Sequence, residues 1–152
     1  MSFELPSREL ELGDSDLIQT AIDLVNQQQL FPDRHRIGSV LLTESGEIFS
    51  GVCIQAEYVK PTGVCGERIA LGRWATDGCD SLVTTIVSVR KPRPVEDDQT
   101  VKVAMSCGMC REILTDYFPE AEIIAPTREG KLARFMIVDS LPLKYQSVAR
   151  ES

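Results

Sequence analysis

The sequence predicts an α/β domain of three layers (α/β/α), with helices packed on both faces of a mixed central sheet. Three observations predict it. Helical and extended patterns alternate along the chain in the order α-β-β-α-β-α-β. Leu82-Val-Thr-Thr-Ile-Val-Ser-Val89 is rich in β-branched residues and largely apolar, as suits a strand covered on both faces. Two further extended runs, Arg36–Thr43 and Ile48–Ile54, flank the turn residues Glu44-Ser45-Gly46-Glu47, which marks a hairpin.

Taken in order, residues 1–13 read as a polar N-terminal arm, and residues 14–152 as a single domain. Ser15 can cap a helix whose apolar face is Leu17, Ile18, Ala21, Ile22 and Val25; it runs to about Gln29, where Leu30-Phe31-Pro32-Asp33 breaks it. Within the hairpin, Gly38 and Gly51 mark places where another backbone or a ligand comes close. A second helix spans about Val64 to Thr76, with Gly78 suited to its C-terminal cap. After the strand at 82–89 come a charged, proline-containing loop at 90–100 and a short strand, Val101–Met105. A third helix starts near Cys107 and ends near Tyr117, before Pro119. Glu122–Ala125 is a strand, Gly130 a turn, and Ala133–Val138 a last strand or short helix.

With 43% hydrophobic residues in 152, the chain can bury a core without disulfide staples. Its net charge of -7 argues against a nucleic acid polymer as partner, which needs a basic stripe. Arg90, Lys91 and Arg93 are broken up by prolines and followed by Glu96, Asp97 and Asp98, the pattern of a solvated loop. The N-terminal residues lack the apolar segment of a signal peptide, and no apolar run approaches the roughly 20 residues that span a bilayer. A cytoplasmic protein with no membrane partner is expected. Five cysteines, an odd number, suit a reducing compartment and metal ligation better than a disulfide framework.

The chemistry concentrates at two helix starts. Cys65-Gly66-Glu67 opens the second helix and Cys107-Gly108-Met109-Cys110 the third. A cysteine in a first helical turn faces unpaired backbone N–H groups and the positive end of the helix dipole, both of which favour thiolate. Three thiolates offer a metal three ligands and leave a fourth position open, the mark of a catalytic rather than a structural zinc site. Glu67 lies beside that opening as a candidate proton carrier. Arg68 and Arg111 are placed to offset the negative charge of the sulfurs. A structural zinc site would need a fourth protein ligand, for which Cys53, Cys79 and His35 are the Cys and His candidates. A Cys107/Cys110 redox pair would leave Cys65 and Glu67 unexplained.

Together, Cys65-Gly-Glu67-Arg68 and Cys107-Gly-Met-Cys110-Arg111 strongly resemble the small cytidine deaminases and their blasticidin-S deaminase-like members. The resemblance runs from about Arg36, through Arg36-Ile-Gly-Ser-Val-Leu-Leu and Ile48-Phe-Ser-Gly-Val-Cys-Ile, to Leu141-Pro-Leu-Lys-Tyr145. It implies a zinc-dependent deaminase in which Cys65, Cys107 and Cys110 hold Zn2+ and Glu67 shuttles protons. It also implies a homotetramer with active sites at subunit boundaries, where Tyr145 reaches a neighbour's substrate. The expected reaction replaces an amino group on a pyrimidine nucleoside, cytidine, deoxycytidine or an analogue, by a carbonyl and releases ammonia.

Departures from the family pattern fall on the substrate side. Cys53 and Gln55 stand where cytidine deaminases carry Asn and Glu for the ribose, and His35 stands near a usual Phe beside the base. Ser106 replaces a Pro before the Cys-x-x-Cys, where it could cap the helix. A modified, blasticidin-type substrate is therefore the alternative within the class, and a non-catalytic zinc-stabilised nucleoside-binding protein the alternative outside it.

Overall fold

A computed structural model describes residues 4–28, 33–34, 36–78 and 80–146. The elements run α1 (Asp14–Gln27), β1 (Arg36–Thr43), β2 (Ile48–Val52), α2 (Gly66–Asp77), β3 (Val83–Lys91), β4 (Lys102–Ala104), α3 (Gly108–Tyr117), β5 (Glu122–Pro126) and β6 (Leu132–Met136). Short 3-10 turns lie at Lys60–Thr62 and Val138–Ser140. The mixed sheet has the order β2-β1-β3-β5-β6. Along one edge, β3 pairs parallel with β5 through Thr85–Val87 and antiparallel with β4 through Ser88–Arg90. The ladder changes partner at Ser88, which becomes important at the site.

The layers follow from period-two alternation. Val40, Val87, Val89 and Ile124 point to one face and meet Leu17, Ala21 and Val25 of α1. Leu41, Ile86, Ile123 and Ala125 point to the other and meet Ala70 and Leu71 of α2 and Leu114 of α3. Trp74 belongs to this second core, edge-on to Phe118 at 4.8 Å, with its indole N–H donated to the Ser81 carbonyl. The α/β/α class is as the sequence predicts. Among the described residues no helix is long and apolar enough to cross a membrane.

Three local readings are corrected. The first helix begins at Asp14, with Gly13 as its cap at φ 95°, so Ser15 lies inside the first turn rather than at the cap. Asp14 is buried and accepts hydrogen bonds from Arg134 Nε (2.8 Å) and Nη2 (2.6 Å) and from the Glu11 N–H (2.7 Å). That partner is 120 residues away, out of reach of any local capping rule. The second correction is at α3, whose cap is Cys107; the Ser106 hydroxyl is buried without a hydrogen-bond partner. The third is Ala133–Val138, which is a strand only as far as Met136 and then turns into the 3-10 segment.

The N-terminal arm is tied to the sheet edge. Arg8 makes an isolated bridge to Arg134 on β6 and a side-chain bond to Glu122 on β5 at 2.6 Å. Burial alone would raise the Asp14 carboxyl, but the Arg134 bonds and the Glu11 N–H hold it below the usual carboxylate range. Arg8 does the same for Glu122. A carboxyl held low in the folded state stabilises the fold above its unfolded pKa of about 3.9–4.3, and that stability is lost as pH falls through the folded value. Urea melts between pH 7 and pH 3 should therefore show stability dropping below about pH 4. Asp14→Ala, which leaves Arg134 buried beside fewer anions, should cost about 3 kcal/mol at neutral pH and flatten that drop.

Candidate metal centre and active site

The site depends on how closely α2 lies on the sheet. A Cβ built at Gly51 on β2 would sit 2.4 Å from the Gly66 carbonyl and 2.7 Å from the Ala70 nitrogen; one at Gly66 would sit 2.7 Å from the Gly51 carbonyl and 2.9 Å from Ser39 Oγ. Both positions need hydrogen alone on Cα. The sequence marks Gly51 as a place of close approach, and the structure shows the approaching backbone to be the first turn of α2. Gly38 plays the same part under α1, where a Cβ would meet Val25 Cγ1 at 2.4 Å.

Seated this way, α2 presents Cys65 at its N-cap and Glu67 two residues on, in its first turn. From the other helix start come Cys107 at the N-cap and Cys110 in the first turn of α3. Neither N-cap cysteine uses its side chain to cap its helix. The Cys65 and Cys107 sulfurs are 3.6 Å apart, and those of Cys107 and Cys110 3.5 Å. All three lie within 4.8 Å of one another, and no further Cys, His, Asp or Glu ligand atom joins the group among the described residues. A tetrahedral centre with metal–sulfur bonds of about 2.3 Å requires sulfurs about 3.8 Å apart. The cluster matches that spacing closely enough for a divalent metal of the zinc type to fit.

The electrostatics agree with this fit. Burial, followed by the negative charge of Glu67, pushes the Cys110 thiol well above its ordinary pKa. Burial and the bond to Cys107 raise Cys65. Burial would raise Cys107 too, but the Cys110 backbone N–H and the neighbouring sulfurs bring it below its ordinary value. Three sulfurs this close oppose one another's ionisation, and a divalent cation is the group whose charge offsets that opposition. Arg68 also faces the cluster, and its guanidinium is stabilised first by Cys65 and then by the charge of Cys110. Arg111 Nη1 donates to the Ser140 carbonyl and ties α3 to the 3-10 turn.

Glu67 is 2% exposed. Its Oε2 lies 3.6 Å from the Cys110 sulfur, and its Oε1 accepts a hydrogen bond from Ser88 Oγ at 3.0 Å. Ser88 in turn shares a bond with Ser39 Oγ at 2.8 Å, both serines being buried and directly opposite each other in the β1–β3 register. Sequence reasoning missed this pair. Its signal was one serine in each of two strands, which reads as nothing until the register sets the two face to face.

Beside Cys65 opens a cavity of about 450 Å3, within the range of small-molecule sites. Cys53 and Gln55 line it. The Cys53 sulfur accepts a bond from the Ile37 N–H at 3.2 Å, and the Gln55 carbonyl accepts one from Arg34 Nη1 at 2.5 Å. Tyr145 is 80% exposed and does not line this cavity, so any contact with substrate would have to be made in another copy of the chain. His35 and Cys79 lie outside the described residues.

Fold and site define a class, that of α/β domains with three cysteines at metal-ligand spacing beside a buried carboxylate. Comparison with known proteins identifies the family. No family model matches the chain. It is 37% identical over 133 residues to blasticidin-S deaminase of Bacillus cereus, which covers 87% of this chain and 91% of that one. Among solved structures, cytidine deaminase from Mycobacterium tuberculosis superposes with a TM-score of 0.70 at 18% identity, covering 90% of this chain and all of that one. The cytidine deaminase from Bacillus anthracis has a TM-score of 0.70 at 18% identity, covering 86% and 87%. The chain belongs to the cytidine deaminase family and is a deaminase, a hydrolase acting on C–N bonds.

The Ser88 bond leaves Glu67 one oxygen fixed and one turned toward the cluster. Ser88→Ala should therefore lower kcat by about tenfold, because Oε1 loses the hydroxyl that fixes its position. Steady-state rates check this, with the melting temperature as a control for packing. A lowered melting temperature with unchanged kcat would assign Ser88 a packing role only.

Proposed function

We propose that the protein hydrolyses the exocyclic amino group of a small aminopyrimidine nucleoside, cytidine, deoxycytidine or an analogue, to a carbonyl. One observation carries this reading: three cysteine sulfurs at metal-ligand spacing with a buried glutamate at 3.6 Å from one of them. The 37% identical relative named as a blasticidin-S deaminase supports the inclusion of modified nucleosides.

In this reading Cys65, Cys107 and Cys110 hold zinc. The ion supplies Lewis acidity and makes water a nucleophile at neutral pH. Glu67, held by Ser88, would carry one proton of the attacking water to the ring nitrogen, where it stays, and the second, from the new hydroxyl, to the departing amino group, so that the hydroxyl becomes the carbonyl. The sum is one water consumed and one ammonia released. Arg68 counters the negative charge of the thiolates. Cys53, Gln55 and His35 surround the sugar and base, and Tyr145 closes the cavity of a neighbouring subunit. The exposed apolar side chains Tyr58, Val59, Leu143 and Tyr145 suit a homotetramer. Residues 14–152 act as one domain, working in the cytoplasm, where thiolates stay reduced.

Ammonia release from a panel of cytosine, cytidine, deoxycytidine, blasticidin S and other amino-heterocycles tests the substrate class. At least one nucleoside should turn over. Glu67→Gln should lower kcat by about 10²–10⁴-fold with zinc content unchanged, and a chelator should remove zinc and activity together. Turnover of the free base without any nucleoside would refute the assignment. Light scattering should give four times the mass of the chain; a monomer would refute the shared site.

A further inference from the structure

The helix that carries Cys107 and Cys110 also holds the C-terminal end of the described chain. Arg111 grips the Ser140 carbonyl, and four residues on Lys144 turns back to α3. Its Nζ donates to Glu112 Oε1 at 2.6 Å and to the Glu112 carbonyl at 3.1 Å, and lies 3.1 Å from Asp116 Oδ1. Glu112 and Asp116 are one helical turn apart, so each raises the cost of the other's charge and a cation between them is favoured. Among the described residues, no other hydrogen bond ties residues 142–146 to the rest of the chain. On either side of this anchor, Leu143 and Tyr145 are turned to solvent. Leu143 stands at φ 57°, the one left-handed non-glycine residue among those described.

Ion pairs on a surface add little to the stability of a fold. A left-handed leucine costs free energy, and such strain persists where its surroundings impose it, most often at functional positions. Here the clamp and the strained turn together hold two apolar side chains away from the domain. The same chain offers an apolar rim to receive them. Ile54 and Met109 line the cavity beside Cys65 and are exposed, and the exposed Tyr58 and Val59 precede Lys60 of its lining. Neither Leu143 nor Tyr145 lines that cavity in its own chain. A projection and a receiving rim on different parts of one chain meet between copies of it. The helix α3 is thus common to the sulfur cluster and to the segment that reaches outward.

We propose that Lys144 is a positioning residue: gripped by Glu112 and Asp116, it fixes the C-terminal segment so that Tyr145 stands at the mouth of the cavity in a second copy of the chain. This rests on the reading of the active site as shared between subunits and names what holds the shared wall in place. Lys144 touches no substrate and acts through Tyr145 alone.

The test is a double-mutant cycle on the zinc-loaded protein, with cytidine and blasticidin S as substrates. Lys144→Met and Tyr145→Ala should each raise KM by about fivefold or more, with a smaller effect on kcat and with zinc content unchanged. The double substitution should be no worse than Tyr145→Ala, because the clamp then has nothing left to position. Lys144→Arg, which keeps the charge and the reach, should restore most of the loss. A KM raised by Tyr145→Ala but not by Lys144→Met, or two effects that multiply, overturns the proposal. If Tyr145→Ala leaves KM unchanged, or neither compound releases ammonia, the reading of the shared site fails. The clamp is then judged by fluorine NMR of protein labelled with fluorotyrosine. A Tyr145 resonance that moves to the position of the free amino acid in Lys144→Met upholds the hold on the segment, and an unmoved resonance overturns it.

Discussion

Between β2 and the first turn of α2 there is room for hydrogen and nothing larger. Gly51 and Gly66 face each other there, each with the other's carbonyl within 2.7 Å of where a Cβ would stand. This contact sets the height of α2 above the sheet, and so the depth of Cys65 and Glu67. A methyl group at either position would force the helix outward by a fraction of an ångström or more. A three-sulfur cluster with Cys107 3.5 Å from one neighbour and 3.6 Å from the other has little tolerance for such a shift. Packing density, rather than any polar contact, is what turns two separate helix starts into one site.

The second consequence of that seating is electrostatic. Glu67 is buried against the inner strands β1 and β3, where little water reaches it, and the hydroxyl of Ser88 takes water's place. Ser88 stands where β3 changes from a parallel to an antiparallel neighbour. The helix starts contribute in the same direction, since both bring unpaired N–H groups toward sulfur. Burial opposes them and dominates at Cys110 and Cys65. The arrangement is thus one that holds a cation well and is costly to keep as bare thiolates.

The sheet was legible because its strands alternate or run apolar for long enough to decide their class, as at Arg36–Thr43 and Val83–Lys91. Gly78 was legible as a cap because a left-handed residue (φ 68°) at a helix end favours glycine. The cysteines and Glu67 could be found because their spacing is chemical rather than structural, and the structure brings all four together. Other features rest on register or on distant partners. The start of α1 depends on Arg134, on another strand. Ser39 and Ser88 acquire meaning from being opposite each other. Cys53 had a plausible contact with ligand in the sequence, but its sulfur also accepts a backbone N–H, a use with no sequence signature.

The central claim is that three sulfurs clasp one metal ion and leave it one place for solvent or substrate. X-ray absorption at the zinc edge of the purified protein measures this directly. The account predicts one zinc per chain with three sulfur neighbours at about 2.3 Å and a single oxygen or nitrogen neighbour, the latter exchangeable with added ligand. Four sulfur neighbours, a fixed histidine in the fourth position, or protein that binds no zinc would contradict it.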